Sequence, residues 1–124
     1  MSDTVYEERI LRTMEAFRRN RYDVSRFAEC TAAADYLAAE IRGKRVGFGD
    51  SETLRALSLY ERLSVHNEVI DPPRAGHVGG IEAFLAAGRE ALMTDIFVLS
   101  ANAITEQGQI LNMDGAGNRV AGSL

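Results

Sequence analysis

The sequence has little cysteine, no tryptophan and no long apolar run. Cys30 is the single cysteine in 124 residues, which excludes an internal disulfide and any zinc or iron–sulfur cluster held by thiolates of this chain alone. No apolar stretch approaches the roughly 20 residues that cross a bilayer. The opening MSDTVYEERI is polar and acidic, unlike a secretory signal. We therefore expect a cytoplasmic protein without membrane insertion, with no cofactor in this chain and with Cys30 as a buried structural thiol.

An excess of charge of one sign is also lacking. The 18 acidic and 14 basic side chains give a net charge of −4 and are interleaved along the chain, so no basic face is predicted for nucleic acid. His66 and His77 have no cysteine, histidine or carboxylate nearby at metal-ligand spacing, and no metal site is predicted. A hydrophobic content of 46% is typical of one globular core.

Helix and strand patterns alternate along the chain. In chain order the predicted elements are a helix at 4–21, a strand at 22–27, a helix from the Thr31 cap to Gly43, a strand at 45–48, a helix at 53–59, a strand at 64–70, a loop at 74–80, a helix at 81–93 and a strand at 95–99. This order is typical of an α/β domain with a mostly parallel sheet flanked by helices in three layers. Helical spacing predicts buried positions in the last helix, namely Ile81, Phe84, Leu85, Ala91 and Leu92.

One domain is predicted over residues 1–124, with an N-terminal helix over 1–21 and an α/β core over 22–124. The sequence ends in AGNRVAGSL, where a further helix is expected to begin. An α/β sheet without its last crossover leaves an edge or a face uncovered. We therefore expect that this core is incomplete at its C-terminal end and belongs to a longer protein, or that a partner chain, such as a second copy in a homodimer, completes it.

The segment VGFGDSETL has the form of a strand-to-helix turn. Gly49 permits close approach of the backbone to a ligand, and the helix that follows offers free amide groups. Glu52 occupies the place of the third glycine of the dinucleotide fingerprint, so that fingerprint fails. We predict a tight turn with Asp50 or Ser51 as the N-cap, and a small anion bound near Ser51 and Thr53 stays an alternative.

A second polar constellation follows the strand at 95–99. A turn at 106–108 and the short segment QILN form a hairpin-like excursion between two polar clusters. In open α/β sheets ligands bind beyond the carboxyl ends of the strands. The candidate binding residues for a small anionic or polar molecule are Gly49, Ser51, Thr53, Ser100, Asn102, Gly115, Gly117, Asn118 and Arg119. The alternative is that the Asn and Asp residues here only satisfy turn and cap hydrogen bonds.

The blocks VGFGDSETL and TDIFVLSANAITEQGQILNMDGAGNRVA resemble the LUD family, of the lactate-utilisation protein C type, in the same order and over nearly the whole chain. The resemblance implies a fold like that of ribose-5-phosphate isomerases, CoA transferases and the formyltetrahydrofolate cyclo-ligase group, with the site at the strand ends. It also implies a link to the oxidation of L-lactate to pyruvate. In such a system the iron–sulfur clusters belong to separate partner subunits.

A more distant likeness connects SANAITEQGQILNMDGAGN to methylthioribose-phosphate isomerases, in which an acidic catalytic residue falls where this chain has Asn102. An amide cannot act as a general base, and Asp114 is the nearby acid that could replace it. The preferred interpretation is an accessory subunit that binds a small hydroxy or keto acid through Ser51, Asn102, Asn118 and Arg119. The alternatives are an isomerase or acyl-transfer enzyme with Asp114 as its base, and a structural assembly subunit.

Overall fold

The computed structural model describes residues 3–113. The elements in chain order are α1 (Asp3–Arg19), α2 (Cys30–Glu40), β1 (Arg45–Phe48), α3 (Glu52–Ala56), α4 (Leu59–Ser64), β2 (Glu68–Ile70), α5 (Pro72–Ala91), β3 (Ile96–Val98), β4 (Ala103–Ile104) and β5 (Ile110–Leu111). They form two compact units. The helix–hairpin unit contains residues 3–26 and 101–112, and the sheet unit contains residues 27–100 and 113.

The sheet unit is built on a three-stranded sheet in the order β2-β1-β3. Both neighbours run parallel to β1, which is therefore the central strand. The register places Val46 beside Val69 on one side and beside Ile96 on the other. Short central strands of this kind favour β-branched and aromatic residues, as in RVGF and IFV. The α/β class with a parallel sheet is as predicted.

Side chains on β1 alternate between two helical layers. Val46 and Phe48 are buried on one face, in a core to which α2, α3 and α4 contribute; its other buried members are Ala34, Ile41, Leu54, Leu59 and Leu63. Gly47 faces the opposite side, where a Cβ atom on it would stand 2.2 Å from the carbonyl oxygen of Ala91 in α5. Helices therefore cover both faces of the sheet.

The helix–hairpin unit consists of α1 and the antiparallel hairpin β4–β5. Ala103 pairs with Leu111, and the turn contains Gly108 with φ of 82°, a conformation that favours glycine. The side-chain amide of Asn20 donates to the carbonyl oxygens of Gln107 at 3.2 Å and of Gly108 at 2.9 Å. The hairpin and its turn at 106–108 are as predicted.

The predicted strand at 22–27 is wrong. Residues of this segment contact α1 and do not pair with a strand. Tyr22 packs edge-on against Phe17, with ring centroids 5.2 Å apart. Both guanidinium NH₂ groups of Arg26 donate to the carboxylate of Glu7, at 2.7 and 2.8 Å. The loose alternation of apolar residues at 22–27 therefore reflects contacts with the helix α1 and not a strand.

The predicted strand at 64–70 is correct only for its last part, β2. The helix α4 continues to Ser64, and the side chain of Asn67 then closes the turn by donating to the carbonyl oxygens of Ile41 and Leu63, each at 2.8 Å. Because an Asn side chain can satisfy backbone groups in this way, the chain ends the helix and enters the strand within a few residues.

The predicted loop at 74–80 is also wrong, because these residues belong to α5. The helix is interrupted only at Gly80, with φ of 77° and ψ of −164°. A Cβ atom on Gly76 would lie 3.1 Å from the Cβ of Phe84, and one on Gly79 would lie 2.6 Å from the Cβ of Ala83. The glycines here permit close packing and a local break in the helix.

Helix α2 begins two residues earlier than predicted, so that Glu29 and not Thr31 is its N-cap, without a side-chain capping bond. Cys30 is exposed, which corrects the expectation of a buried thiol. The reason is its place in the first turn of α2, since the buried face of the helix starts at Ala34.

Three of the predicted core positions of α5 face solvent. Ile81, Leu85 and Leu92 are 69%, 47% and 42% exposed, whereas Ala91 is buried and Phe84 is half-buried. The buried positions in this part of the helix are Ala87, Gly88 and Ala91. Small residues let α5 approach the sheet closely, and the larger side chains lie beside this contact.

Candidate functional site

Polar side chains gather at the carboxyl edge of the sheet in the sheet unit. Ser51 follows β1, Asp71 follows β2 and Ser100 follows β3. Since the strands are parallel, their carboxyl ends meet at one edge. A cleft of about 260 Å³ opens there, lined by Phe48, Gly49, Ser51, Leu54, Arg55, Tyr60, Glu61, Asp71 and Arg74.

Ser51 forms the inner wall of this cleft and is 4% exposed. Its hydroxyl accepts from the amide of Leu54 at 3.3 Å, which makes it the N-cap of α3, as predicted. The Ser51 and Ser100 hydroxyl oxygens are 2.7 Å apart. This contact ties the turn after β1 to the end of β3 and holds the cleft wall in place.

Asp71 stands at the end of β2 and at the start of α5. Its side chain is 13% exposed. Burial raises the pKa of Asp71 above its ordinary value. A hydrogen bond from the backbone of Arg74 and the positive charges of Arg74 and Arg55 lower this pKa, but less strongly, and the negative charge of Asp50 raises it further. Burial therefore favours the protonated form of this carboxyl more than that of an exposed one.

Arg74 extends from the first turn of α5 across the cleft. Its guanidinium is 2.9 Å from the carboxylate of Glu61 and 3.9 Å from that of Asp71. It also lies over the ring of Tyr60, 3.8 Å from the ring centroid, in a cation–π contact. These neighbours hold a planar donor group at the mouth of the cleft.

Arg55 contributes a second guanidinium from α3. It donates to Asp50 at 2.9 Å and to Glu52 at 2.6 Å, and these bonds raise its pKa. The charges that line the cleft are thus balanced, with two guanidinium groups and the carboxylates of Glu61 and Asp71. A ligand carboxylate would have to replace one of the protein carboxylates that pair with them.

The N-terminus of α5 offers few backbone donors to a ligand. Pro72 and Pro73 occupy its first two positions, and proline has no amide hydrogen. The free amides that usually attract anions at a helix start are therefore partly missing. Among the residues that line the cleft, the positively charged groups are the guanidinium groups of Arg55 and Arg74.

A family model for the LUD domain matches residues 10–124. The chain belongs to the LUD domain family. No curated protein and no solved structure matches it. The resemblance seen in the sequence is therefore confirmed at the level of the family. No helix of this LUD domain between residues 3 and 113 is long and apolar enough to cross a membrane.

The structure brings together some of the residues predicted for the site in this LUD domain. Gly49 and Ser51 line the cleft, and Ser100 contacts Ser51. Thr53 is exposed on α3 and is not part of the cleft lining. Asn102 lies in the helix–hairpin unit, where its backbone N–H donates to the carbonyl oxygen of Leu111 at 3.1 Å.

The remaining predicted site residues lie outside the described residues, and their roles stay predictions: Asp114, Gly115, Gly117, Asn118 and Arg119. Sequence reasoning misses Asp71, because the predicted strand ends at residue 70. It misses Arg74, because a loop is predicted over residues 74–80. An acidic residue at the end of a predicted parallel strand was the available signal.

The two histidines of the LUD domain are apart from the cleft lining. His66 lies 3.0 Å from a guanidinium nitrogen of Arg42. Within residues 3–113 no group of three or more His, Cys, Asp or Glu side chains is placed to hold a metal ion.

Proposed function

We propose that this LUD domain binds a small hydroxy or keto acid in the cleft at the carboxyl edge of the sheet, as an accessory subunit of organic-acid metabolism linked to the oxidation of L-lactate to pyruvate. The observation that carries the proposal is the juxtaposition of the partly buried Asp71 carboxyl and the Arg74 guanidinium in one cleft. A cleft of about 260 Å³ suits a ligand of this size.

Arg74 supplies the carboxylate-binding group. A guanidinium binds a carboxylate through two parallel hydrogen bonds, which fixes the orientation of the ligand. The existing pair with Glu61 is exposed, with 50% and 61% of the two side chains in solvent. Exposed pairs contribute only about 0–1 kcal/mol, so that a ligand can replace Glu61 at little cost.

Asp71 supplies the group that distinguishes a hydroxyl from a keto oxygen. A protonated carboxyl can donate a hydrogen bond to a keto oxygen, whereas an ionised one can only accept from a hydroxyl. Because burial raises the pKa of Asp71, its protonated form persists to a higher pH than that of an exposed carboxyl. A keto acid is therefore expected to bind more tightly as the pH falls, and a hydroxy acid as it rises.

Isothermal titration with lactate, pyruvate and a sugar phosphate tests the proposal. Arg74→Gln is expected to weaken binding of the preferred acid at least tenfold, about 1.4 kcal/mol. Arg62→Gln is the matched control, because Arg62 also forms an ion pair, with Asp35, but does not line the cleft. Absence of heat with every ligand in the folded protein, or equal loss in both variants, refutes the proposal.

An enzymatic function is the second candidate, and a specific observation favours it. An isomerase or acyl-transfer reaction uses a positioned general acid or base, and Asp71 is a cleft carboxyl whose pKa is raised by burial. Asp114 is the base that the sequence predicts, with Arg119 holding the substrate's charge. If turnover of a phosphorylated or carboxylated substrate is detected, its loss in Asp71→Asn and its retention in Asp114→Asn would assign the base to Asp71 and not to Asp114.

The family membership also motivates finer proposals about fold and partners. We place the domain among the folds of ribose-5-phosphate isomerases and CoA transferases, and the protein in the cytoplasm. Any iron–sulfur clusters of the same system then belong to partner subunits. Co-purification from cells grown on L-lactate tests the last point: an iron–sulfur protein is expected to accompany the chain, and its absence would count against the partnership.

A further inference from the structure

Two guanidinium groups reach the cleft of the sheet unit from different helices. Arg55 belongs to α3 and Arg74 to the first turn of α5, and both line the cleft at the carboxyl edge of the sheet. Asp71 lines the same cleft, and the positive charge of each guanidinium acts to lower its pKa, as charges do when they are close. Both groups therefore lie near one carboxyl.

A ligand with a single carboxylate uses only one of these two groups. Its carboxylate binds to Arg74, and Arg55 keeps its protein partners. A guanidinium binds a carboxylate through two parallel hydrogen bonds and stays charged at every pH that a folded protein meets. Two such groups on different walls of one cleft therefore match a ligand that carries two carboxylates.

The present partners of Arg55 are exposed carboxylates that a ligand can replace. Arg55 donates through Nη1 to Asp50 at 2.9 Å and through Nη2 to Glu52 at 2.6 Å. The side chains of Asp50 and Glu52 are 62% and 92% exposed. Exposed ion pairs contribute little to stability, and a displaced carboxylate stays in water. The situation is the same as that of Glu61 at Arg74.

The charge of such a ligand also suits the cleft. Its two carboxylates take the places of protein carboxylates at Arg55 and Arg74, so each guanidinium keeps an anionic partner. Glu61, the partner that Arg74 releases, is 61% exposed and turns to solvent. Asp71 opposes the second negative charge only weakly, because burial favours its protonated form.

We propose that the preferred ligand of the cleft is a hydroxy or keto acid with two carboxylates, one bound by Arg74 and the other by Arg55. The inference rests on the proposed function, in which Arg74 and Asp71 recognise the acid end of the ligand. Arg55 then determines specificity, since it selects a diacid over a monoacid. Pairing with Asp50 and Glu52 alone accounts for the bonds of Arg55 but not for its place in the lining of the cleft.

Isothermal titration with L-lactate and L-malate at neutral pH tests the inference. Malate is lactate with a carboxylate in place of one hydrogen of the methyl group, and both of its carboxyls are ionised at this pH. The unaltered protein is expected to bind malate at least about tenfold more tightly than lactate. Arg55→Gln is expected to reduce this preference below about threefold without a change in lactate binding, whereas Arg74→Gln weakens the binding of both ligands.

One protein variant and one ligand serve as matched controls. Arg45 also bonds to two carboxylates, those of Glu68 and Glu90, but it is the first residue of β1 and does not line the cleft. Arg45→Gln is therefore expected to keep the preference for malate. The hydroxy acid with a methyl group in place of the second carboxylate of malate controls for ligand size, and it is expected to bind like lactate. Circular dichroism shows that each variant is folded.

The outcomes separate this inference from the proposed function. Lactate binding that depends on Arg74, without a preference for malate, overturns the inference and leaves the proposed function standing. A preference that survives Arg55→Gln, or that Arg45→Gln removes equally, also overturns it. Absence of heat with every ligand in the folded protein overturns both.

Discussion

Replacement of Gly47 by alanine is the most direct test of how the sheet unit is packed. The added Cβ would lie 2.2 Å from the carbonyl oxygen of Ala91, and 2.8 Å from both its carbonyl carbon and the Thr94 hydroxyl. Ala91 contributes backbone atoms, which cannot rotate away as a side chain can. Because non-bonded heavy atoms need about 3.5 Å, α5 would have to move off β1 by on the order of 1 Å.

The cost of that movement can be estimated from its components. Insertion of a methyl group into a packed interior usually costs about 1–3 kcal/mol. Here the displaced atom belongs to a helix, so the contacts of Ala87 and Gly88 with the sheet loosen together. We expect a loss of at least about 3 kcal/mol in the free energy of unfolding, which is a large share of the roughly 5–15 kcal/mol typical of a domain.

Urea unfolding followed by circular dichroism measures this loss, with Gly49→Ala as the control. A Cβ atom on Gly49 would contact only side-chain atoms, the Cβ of Leu99 at 3.3 Å and the ring of Phe97 at 3.5 Å. The ring of Phe97 can rotate, and the Cβ of Leu99, although fixed to its backbone, needs to move by only a few tenths of an ångström. The expected change is therefore below about 1 kcal/mol. If Gly47→Ala were as stable as the unaltered protein, or lost no more than Gly49→Ala, the close contact of α5 with β1 would be wrong.

Two further predictions concern single polar side chains. Asn20→Leu removes both donors to the turn at 106–108 and is expected to cost about 1–3 kcal/mol; unfolding in urea measures it, and no change would contradict the role of Asn20. Burial raises the pKa of Asp71 in the folded state, so the stability associated with the protonated form is present below the unfolded pKa and is lost as the pH rises through the folded pKa. Asp71→Asn is therefore expected to be more stable than the unaltered protein at neutral pH and to lose that advantage in acid; a pH-independent difference contradicts this.

Elements that depend on local pattern could be predicted from the sequence. The apolar strands β1 and β3, the N-cap at Ser51 and the hairpin turn at 106–108 all follow from short-range spacing and turn chemistry. The parallel sheet also follows, because alternating strands and helices leave few other arrangements. These features do not require knowledge of distant contacts.

The cleft could be located from the sequence only in part. Ser51 and Ser100 follow predicted strands, and their convergence was expected from the parallel topology. Arg74 could not be placed, because a glycine-rich segment is usually a loop and here forms the first half of α5. The burial that raises the pKa of Asp71 depends on residues from other elements, and one sequence does not reveal it.

The exposed stripe of α5 shows why periodicity alone could not assign the buried face of this helix. Two adjacent stripes are apolar, one with small residues such as Ala87 and Ala91 and one with large residues such as Ile81 and Leu85. Helical spacing favours the larger residues for the core, but Gly47 leaves room only for a helix backbone at close range. The small stripe therefore packs on the sheet, and the large residues beside it stay exposed.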